Sequence, residues 1–156
     1  MIEQCGYKGI VNIQVMNKDG SSEEITKITI QNTITDSWLN AVRDAMMNAN
    51  SDIEIKYIAL GDDDSAPSAT QTVLGNERFR KAITKQDAGT IGRVDSSSYI
   101  APYEANFHIK EVGFFGGSEA TSEKGSGVMV ARILYNHEKT DEESINIVRS
   151  DILGRA

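Results

Sequence analysis

The side chains best suited to chemistry are few, and their spacing argues against most reactions. Gly61-Asp62-Asp63-Asp64 sets three carboxylates in a row, a composition that suits a hard cation. The alternating Asp, the following Gly and the distal Glu of a calcium loop are missing, and consecutive side chains of an extended loop diverge. The run therefore reads as a solvated acidic turn. His108 and His137 lack HExxH spacing and a cysteine neighbour, so no zinc centre is expected from them. Ser126 lies between Gly125 and Gly127, but G-x-S-x-G is incomplete and no helix follows to form a nucleophile elbow. Gly113, Gly116 and Gly117 do not spell a phosphate-cradling loop.

Carboxylate pairs can do acid–base work, and Glu77, Glu104 and Glu111 sit in or beside predicted strands. They read as partly exposed partners of Arg78, Arg80 or Lys110. The cluster Arg78-Phe79-Arg80-Lys81 has the makings of a base-stacking surface, yet in an acidic chain it reads as strand surface or a protein interface. Trp38 reads as a core anchor between helix and sheet. On these residues no catalytic, cofactor-binding or metal-ligating residue is expected, and the profile is that of a non-enzymatic packing or interaction protein.

The composition points the same way. The 156 residues suit a single domain, expected over 10–156 with an N-terminal arm over 1–9. Sixteen Lys and Arg against 23 Asp and Glu give a net charge of −7, which disfavours a nucleic-acid partner. No apolar run approaches the ~20 residues of a membrane helix, and the first residues lack the basic and apolar regions of a secretory signal. Cys5 is the only cysteine, which excludes an intramolecular disulfide and leaves a free thiol or a bond between copies. Cytoplasmic synthesis and folding is the expectation.

The elements that must position these residues are mostly strands. Apolar alternation over residues 10–16 and 28–34, split by Asp19-Gly20, predicts a hairpin. The period then changes: Trp38, Leu39, Val42, Ala45 and Met46 follow helical spacing, predicting one amphipathic helix over 36–47, capped by Thr35 or Asp36 and packed through Trp38 and Leu39. Further strands are expected over 55–60, 78–84, 98–107 with an edge or bulge at Pro102, 109–115, 128–135, and at the run holding Ile145, Ile147 and Ile152. Residues 61–68, 86–92 and 118–127 read as loops. Many short strands and one helix define a mainly β chain, an antiparallel β-sandwich or open barrel with a single helix packed on it.

The order of short motifs carries a resemblance. Asn32-Thr33-Ile34-Thr35-Asp36 with Leu39 and Val42-Arg43-Asp44, then Ile58-Ala59-Leu60-Gly61, Ala66-Pro67 and Leu74-Gly75-Asn76-Glu77-Arg78-Phe79-Arg80-Lys81 come first. Glu104-Ala105-Asn106, Ile109-Lys110-Glu111-Val112-Gly113-Phe114-Phe115-Gly116-Gly117, Ser126-Gly127 with Ala131-Arg132, and Lys139-Thr140 complete the series. In this order, over about residues 30 to 150, they resemble the tail-fibre, tail-collar and baseplate-attachment proteins of tailed bacteriophages. One departure is Ser37 or Trp38 where that pattern carries Gly; another is the end at Ala156, without the long shaft of receptor-binding members.

The resemblance implies a structural virion component, assembled in the host cytoplasm and present in several symmetric copies or as a homo-oligomer. Its partners would be other virion proteins, with no cofactor, nucleic acid or membrane. The expected docking segments are residues 1–9, 61–68 and 118–127. The alternative is a receptor- or carbohydrate-binding module at a tail tip, reading its ligand through Tyr99, Tyr103 or Tyr135. A small hydrolase would instead need converging carboxylates in a pocket. Gly61, Gly75, Gly113 and Gly116 read as turn formers at strand ends, and Leu60, Leu74, Phe79, Val112 and Phe114 as core.

Overall fold

The computed structural model describes residues 5–19, 27–49 and 52–155. Two antiparallel sheets pack face to face, and neither closes into a barrel. Sheet A contains β1 (Cys5–Asn17), β2 (Lys27–Asn32), β5 (Lys85–Ala88), β6 (Arg93–Ile100) and β9 (Glu143–Arg155), in the order β2-β1-β9-β6-β5. Sheet B contains β3 (Ile55–Gly61), β4 (Glu77–Ala82), β7 (His108–Gly116) and β8 (Val128–Glu138), in the order β4-β3-β7-β8. This is the mainly β sandwich with one helix that the patterning predicts.

Period-two patterning explains the core. Val11 and Ile13 of β1, Ile100 of β6, and Ile145 and Ile147 of β9 meet Ile58, Leu60, Val112, Phe114 and Ile133 of sheet B. The predicted hairpin forms, with Ile13 opposite Ile28 and Val11 opposite Ile30; the turn residue Gly20 lies outside the described residues. β9, an inner strand as long as its neighbour β1, pairs with β1 along its whole length and with β6 over eight residues.

The helix α1 (Asp36–Met46) starts where expected. The Thr35 hydroxyl accepts from the Trp38 amide at 3.1 Å and donates to the Met129 carbonyl, while the Thr35 amide donates to Val130. One residue thus caps the helix and ties it to β8. Asn48, at φ 54, ends it in the left-handed region that Asn tolerates. Trp38 is buried, but Leu39 is 46% exposed and Met46 84%. The core-facing stripe is the buried Trp38 with the partly buried Ala41 and Val42, and Leu39 and Met46 lie one position off it.

Several boundaries differ from expectation. β1 begins at Cys5 and pairs with the end of β9, so residues 5–9 belong to sheet A and form no arm; Met1 to Gln4 lie outside the described residues, as does the Cys5 side chain. Lys85 to Ala88 form a strand that takes in the first three residues of the span 86–92, which reads as a loop; all four residues are exposed, so no apolar alternation marks them. β6 runs from Arg93 to Ile100 and stops before Pro102, shifted from the predicted 98–107. Its inward positions include Ser96 and Ser98, which hide the strand from a hydrophobicity reading, and Pro102 lies in the turn that follows.

Sheet B carries an additional layer on its outer face. The loops 62–76 and 117–127 cover it, and Leu74 packs on Ala59, Phe115 and Met129 in a second apolar cluster.

Candidate functional site

The outer layer is fastened by the residues singled out as chemical. Glu111 of β7 and Arg132 of β8 are both buried, and Arg132 Nε donates to Glu111 Oε2 at 2.6 Å. The Glu111 carboxylate also accepts the backbone N–H groups of Gly75 (2.9 Å), Asn76 (2.8 Å) and Asp63 (3.3 Å). Arg132 donates onward to the carbonyls of Ser65 (2.7 Å) and Asp63 (3.1 Å) and to Asp63 Oδ1 (3.1 Å). A buried ion pair is sustainable only when its remaining donors and acceptors are met, and the 62–76 loop supplies those partners. Glu111 was expected to be partly exposed and to pair with a strand neighbour such as Lys110. Lys110 instead faces Asp64 at 3.7 Å.

The glycines at this layer act by close approach. Positive φ occurs at Gly92, Gly117, Gly125 and Gly127, and not at Gly61, Gly75, Gly113 or Gly116. A Cβ on Gly61 would collide with the Asn76 carbonyl and the Glu111 carboxylate, and one on Gly113 with the Leu74 side chain. Gly75 and Gly116 are crowded in the same way, by Asp63 and by the Glu54 carbonyl with the Trp38 ring. The turn explanation is therefore replaced by loop-to-sheet and helix-to-sheet contact.

A second tether holds the other loop. Arg80 pairs with Glu77 at 2.8 and 3.0 Å, donates to the carbonyls of Thr121 (3.1 Å) and Ser126 (2.9 Å), and lies 4.2 Å from the Phe115 ring centroid. The Ser126 hydroxyl donates to Glu123 O at 2.7 Å and receives Arg80, so it is a loop tie. Lys81 bonds Glu104 at 2.7 Å, and Lys139 bonds Asn106 at 2.8 Å. Arg78 reaches Asp62 at 2.9 Å and stacks over Phe107 at 4.6 Å. The basic cluster is thus committed to intramolecular partners.

The acidic run is divided among separate partners. Hydrogen bonds from Arg78 and Asn76 hold the Asp62 carboxyl below its usual pKa; bonds from Ser65, with Arg132 nearby, do the same for Asp63. No group of three or more potential metal ligands occurs among the described residues. The histidines also go to separate acids: His108 Nδ1 lies 3.3 Å from Glu138, and His137 Nε2 lies 2.6 Å from Glu143 while its ring stacks on Tyr135.

At one end of the sandwich, a cavity of about 520 Å³ opens between sheet A and α1. Val42, Ile55, Val94 and Leu153 line it, with Tyr7, Trp38 and Asp151 among its polar groups. Arg149, buried against the Phe114 ring, donates to Asp151 at 2.6 to 3.0 Å; the Tyr7 hydroxyl donates to Asp151 at 2.7 Å and accepts Trp38 Nε1 at 3.0 Å. Burial, reinforced by the Asp151 charge, pushes Tyr7 up to about 12. Sequence reasoning passed over Tyr7, Arg149 and Asp151. The available signal was parity: Arg149 and Asp151 continue the inward positions of Ile145 and Ile147 along β9.

No family model matches the chain, and the searches of curated proteins and of solved structures return no match. No helix among the described residues is long and apolar enough to cross a membrane.

Proposed function

We propose that this chain is a non-catalytic structural subunit of a tailed-phage virion or phage-like particle, a tail, baseplate or collar component that docks on other virion proteins. One observation supports the reading above the rest. The polar residues of the resembling motifs pair with one another: Glu77 with Arg80, Lys81 with Glu104, Asn106 with Lys139, and Glu111 with Arg132. Motifs spread across the sequence thus hold loops to sheet B: the Arg80 and Arg132 pairs fasten the outer layer, and the Lys81 and Lys139 pairs fasten the 101–107 turn, which is the work of a scaffold that presents a surface. The segments 61–68 and 118–127, expected separately as docking segments, lie in that layer, the first tied to Arg132 through Asp63 and Ser65 and the second to Arg80 through Thr121 and Ser126.

The test is to purify particles from cells producing this chain and locate it by mass spectrometry and particle reconstruction. The reading expects copies at symmetry-related positions. Particles that lack the chain while the lysate contains it would overturn it.

The alternative, a carbohydrate- or receptor-binding module, draws on Tyr103 and Tyr99, exposed at 82% and 44%. Tyr135, the third aromatic considered for that role, is buried and drops out. Glycan-array binding that is lost on Tyr103→Ala would favour this alternative.

A further inference from the structure

β5 is the outermost strand of sheet A and pairs only with β6 within it. Its backbone phase follows from a neighbouring bond, since the Gly89 amide donates to Arg93 O at 3.1 Å. In the same register Asp87 faces Asp95 and Lys85 faces Ser97. Antiparallel ladders alternate bonded and non-bonded pairs, so Lys85 and Asp87 direct their backbone groups toward β6. The N–H and C=O groups of Gln86 and Ala88 therefore point to the open edge.

A second β5 running in the opposite direction can meet those groups in four two-fold registers, one centred on each residue of the strand. Centred on Lys85 or on Asp87, the pairing sets two like charges directly opposite each other, which is destabilising. Centred on Ala88, it runs Lys85 against Ile91, inside the turn closed by the Arg93 amide on Thr90 O. Centred on Gln86, it pairs the Gln86 N–H and C=O groups of the two copies reciprocally, while the Thr84 amide that would face Ala88 stays on Ser97 O; it sets Lys85 of each copy opposite Asp87 of the other, on one face, in the closely spaced non-bonded positions. Lys85 and Asp87 already pair within the strand at 3.0 Å, with side chains 68% and 53% exposed. Such exposed pairs contribute little, so exchanging the one in each copy for the two shared cross-strand pairs costs little. A lone edge lysine commonly serves to repel other strands. The aspartate two residues on converts that repulsion into attraction in one register.

We propose that two copies of this chain associate through β5, antiparallel about a two-fold axis at Gln86, joining their five-stranded sheets into one continuous sheet. The partner is a second copy, and the interface is isologous. The pairing is a property of the isolated chain and does not rest on the virion reading, so either can fail alone.

Sedimentation velocity over a concentration series, on the full chain, tests it. Wild type is expected in monomer–dimer equilibrium. Lys85→Asp should weaken association about tenfold or more, because two opposite-charge pairs become like-charge pairs. The swap Lys85→Asp with Asp87→Lys should restore it. Wild type that stays monomeric, unweakened Lys85→Asp, or a swap that fails to rescue would each overturn the proposal. A second measurement is independent of charge. In a Cys5→Ser background, a mixture of Lys85→Cys and Asp87→Cys chains should form a disulfide-linked dimer on oxidation, and Lys85→Cys alone should not. Equal cross-linking in both samples would overturn the register.

Discussion

The two faces of sheet B are held to their neighbours by different physics. The inner face meets sheet A through Ile58, Leu60, Val112, Phe114 and Ile133, a contact that is non-directional and scales with buried apolar area. The outer face meets its loops through Glu111, Arg132 and Arg80, with a small apolar cluster of Ala59, Leu74, Phe115 and Met129, flanked by Tyr57, as support. An apolar contact accepts any side chain of suitable shape. A buried carboxylate bonded to an arginine and three backbone amides accepts only itself.

Residues 132 and 133 give the sharpest way to break this comparison, because they are adjacent on β8 and serve opposite faces. Arg132→Met leaves the Glu111 carboxylate buried without its cation and should cost about 3–5 kcal/mol in urea or guanidinium unfolding. Ile133→Val removes one methylene from the inner face and should cost about 0.5–1.5 kcal/mol. Equal costs would mean that the outer layer is held by packing alone.

Gly61→Ala comes next. Its Cβ would meet the Asn76 backbone carbonyl, which cannot rotate away, so a loss of about 1–3 kcal/mol is expected. Hydrogen exchange should rise in the 62–76 loop and stay slow in β1 and β9. A uniform rise would show that the layer unfolds only together with the core.

The inner face was legible in the sequence because its physics leaves a periodic trace. Ile145 and Ile147, or Val11 and Ile13, announce a strand and its buried side together. The outer layer left no period. Arg132 and Asp63 stand 69 residues apart, and nothing local to either says that they meet. Their motif order pointed to a family resemblance without disclosing the contact that gives each residue its role. The cavity end was hidden for a third reason: Arg149 and Asp151 occupy inward positions with charges, which a reading by hydrophobicity assigns to the surface. β5 was hidden by the converse, having no buried side chain to set a period.

Tyr7→Phe probes that cavity end and should cost about 1–2 kcal/mol, since it removes the acceptor of Trp38 Nε1 and one donor to Asp151. The chain has a single tryptophan, so Trp38 fluorescence reports the change at the site itself.

The smallest effects are the most discriminating, because they set the two regions against opposite ends of the pH scale. In the outer layer, hydrogen bonds from Arg78 and Asn76 to Asp62, and from Ser65 to Asp63, hold both carboxyls below their ordinary 3.8. A carboxylate whose pKa is lower folded than unfolded contributes stability above the unfolded value and loses it as pH falls through the folded one. Exchange protection in the 62–76 loop should therefore fade below about pH 4, before that of β1 and β9. Tyr7 runs the other way. Its folded pKa is raised from 10.0 to about 12, so its contribution is complete below pH 10 and declines as pH rises toward 12. Tyrosinate absorbance and Trp38 fluorescence should change together in that alkaline window in wild type. In Tyr7→Phe the Trp38 change should disappear while Tyr135, also raised to about 12 by burial, still titrates. An acid transition that reached Trp38 first, or an alkaline one that began in the 62–76 loop, would mean that the two regions share one cooperative unit and that the division between directional and non-directional contact has no consequence for stability.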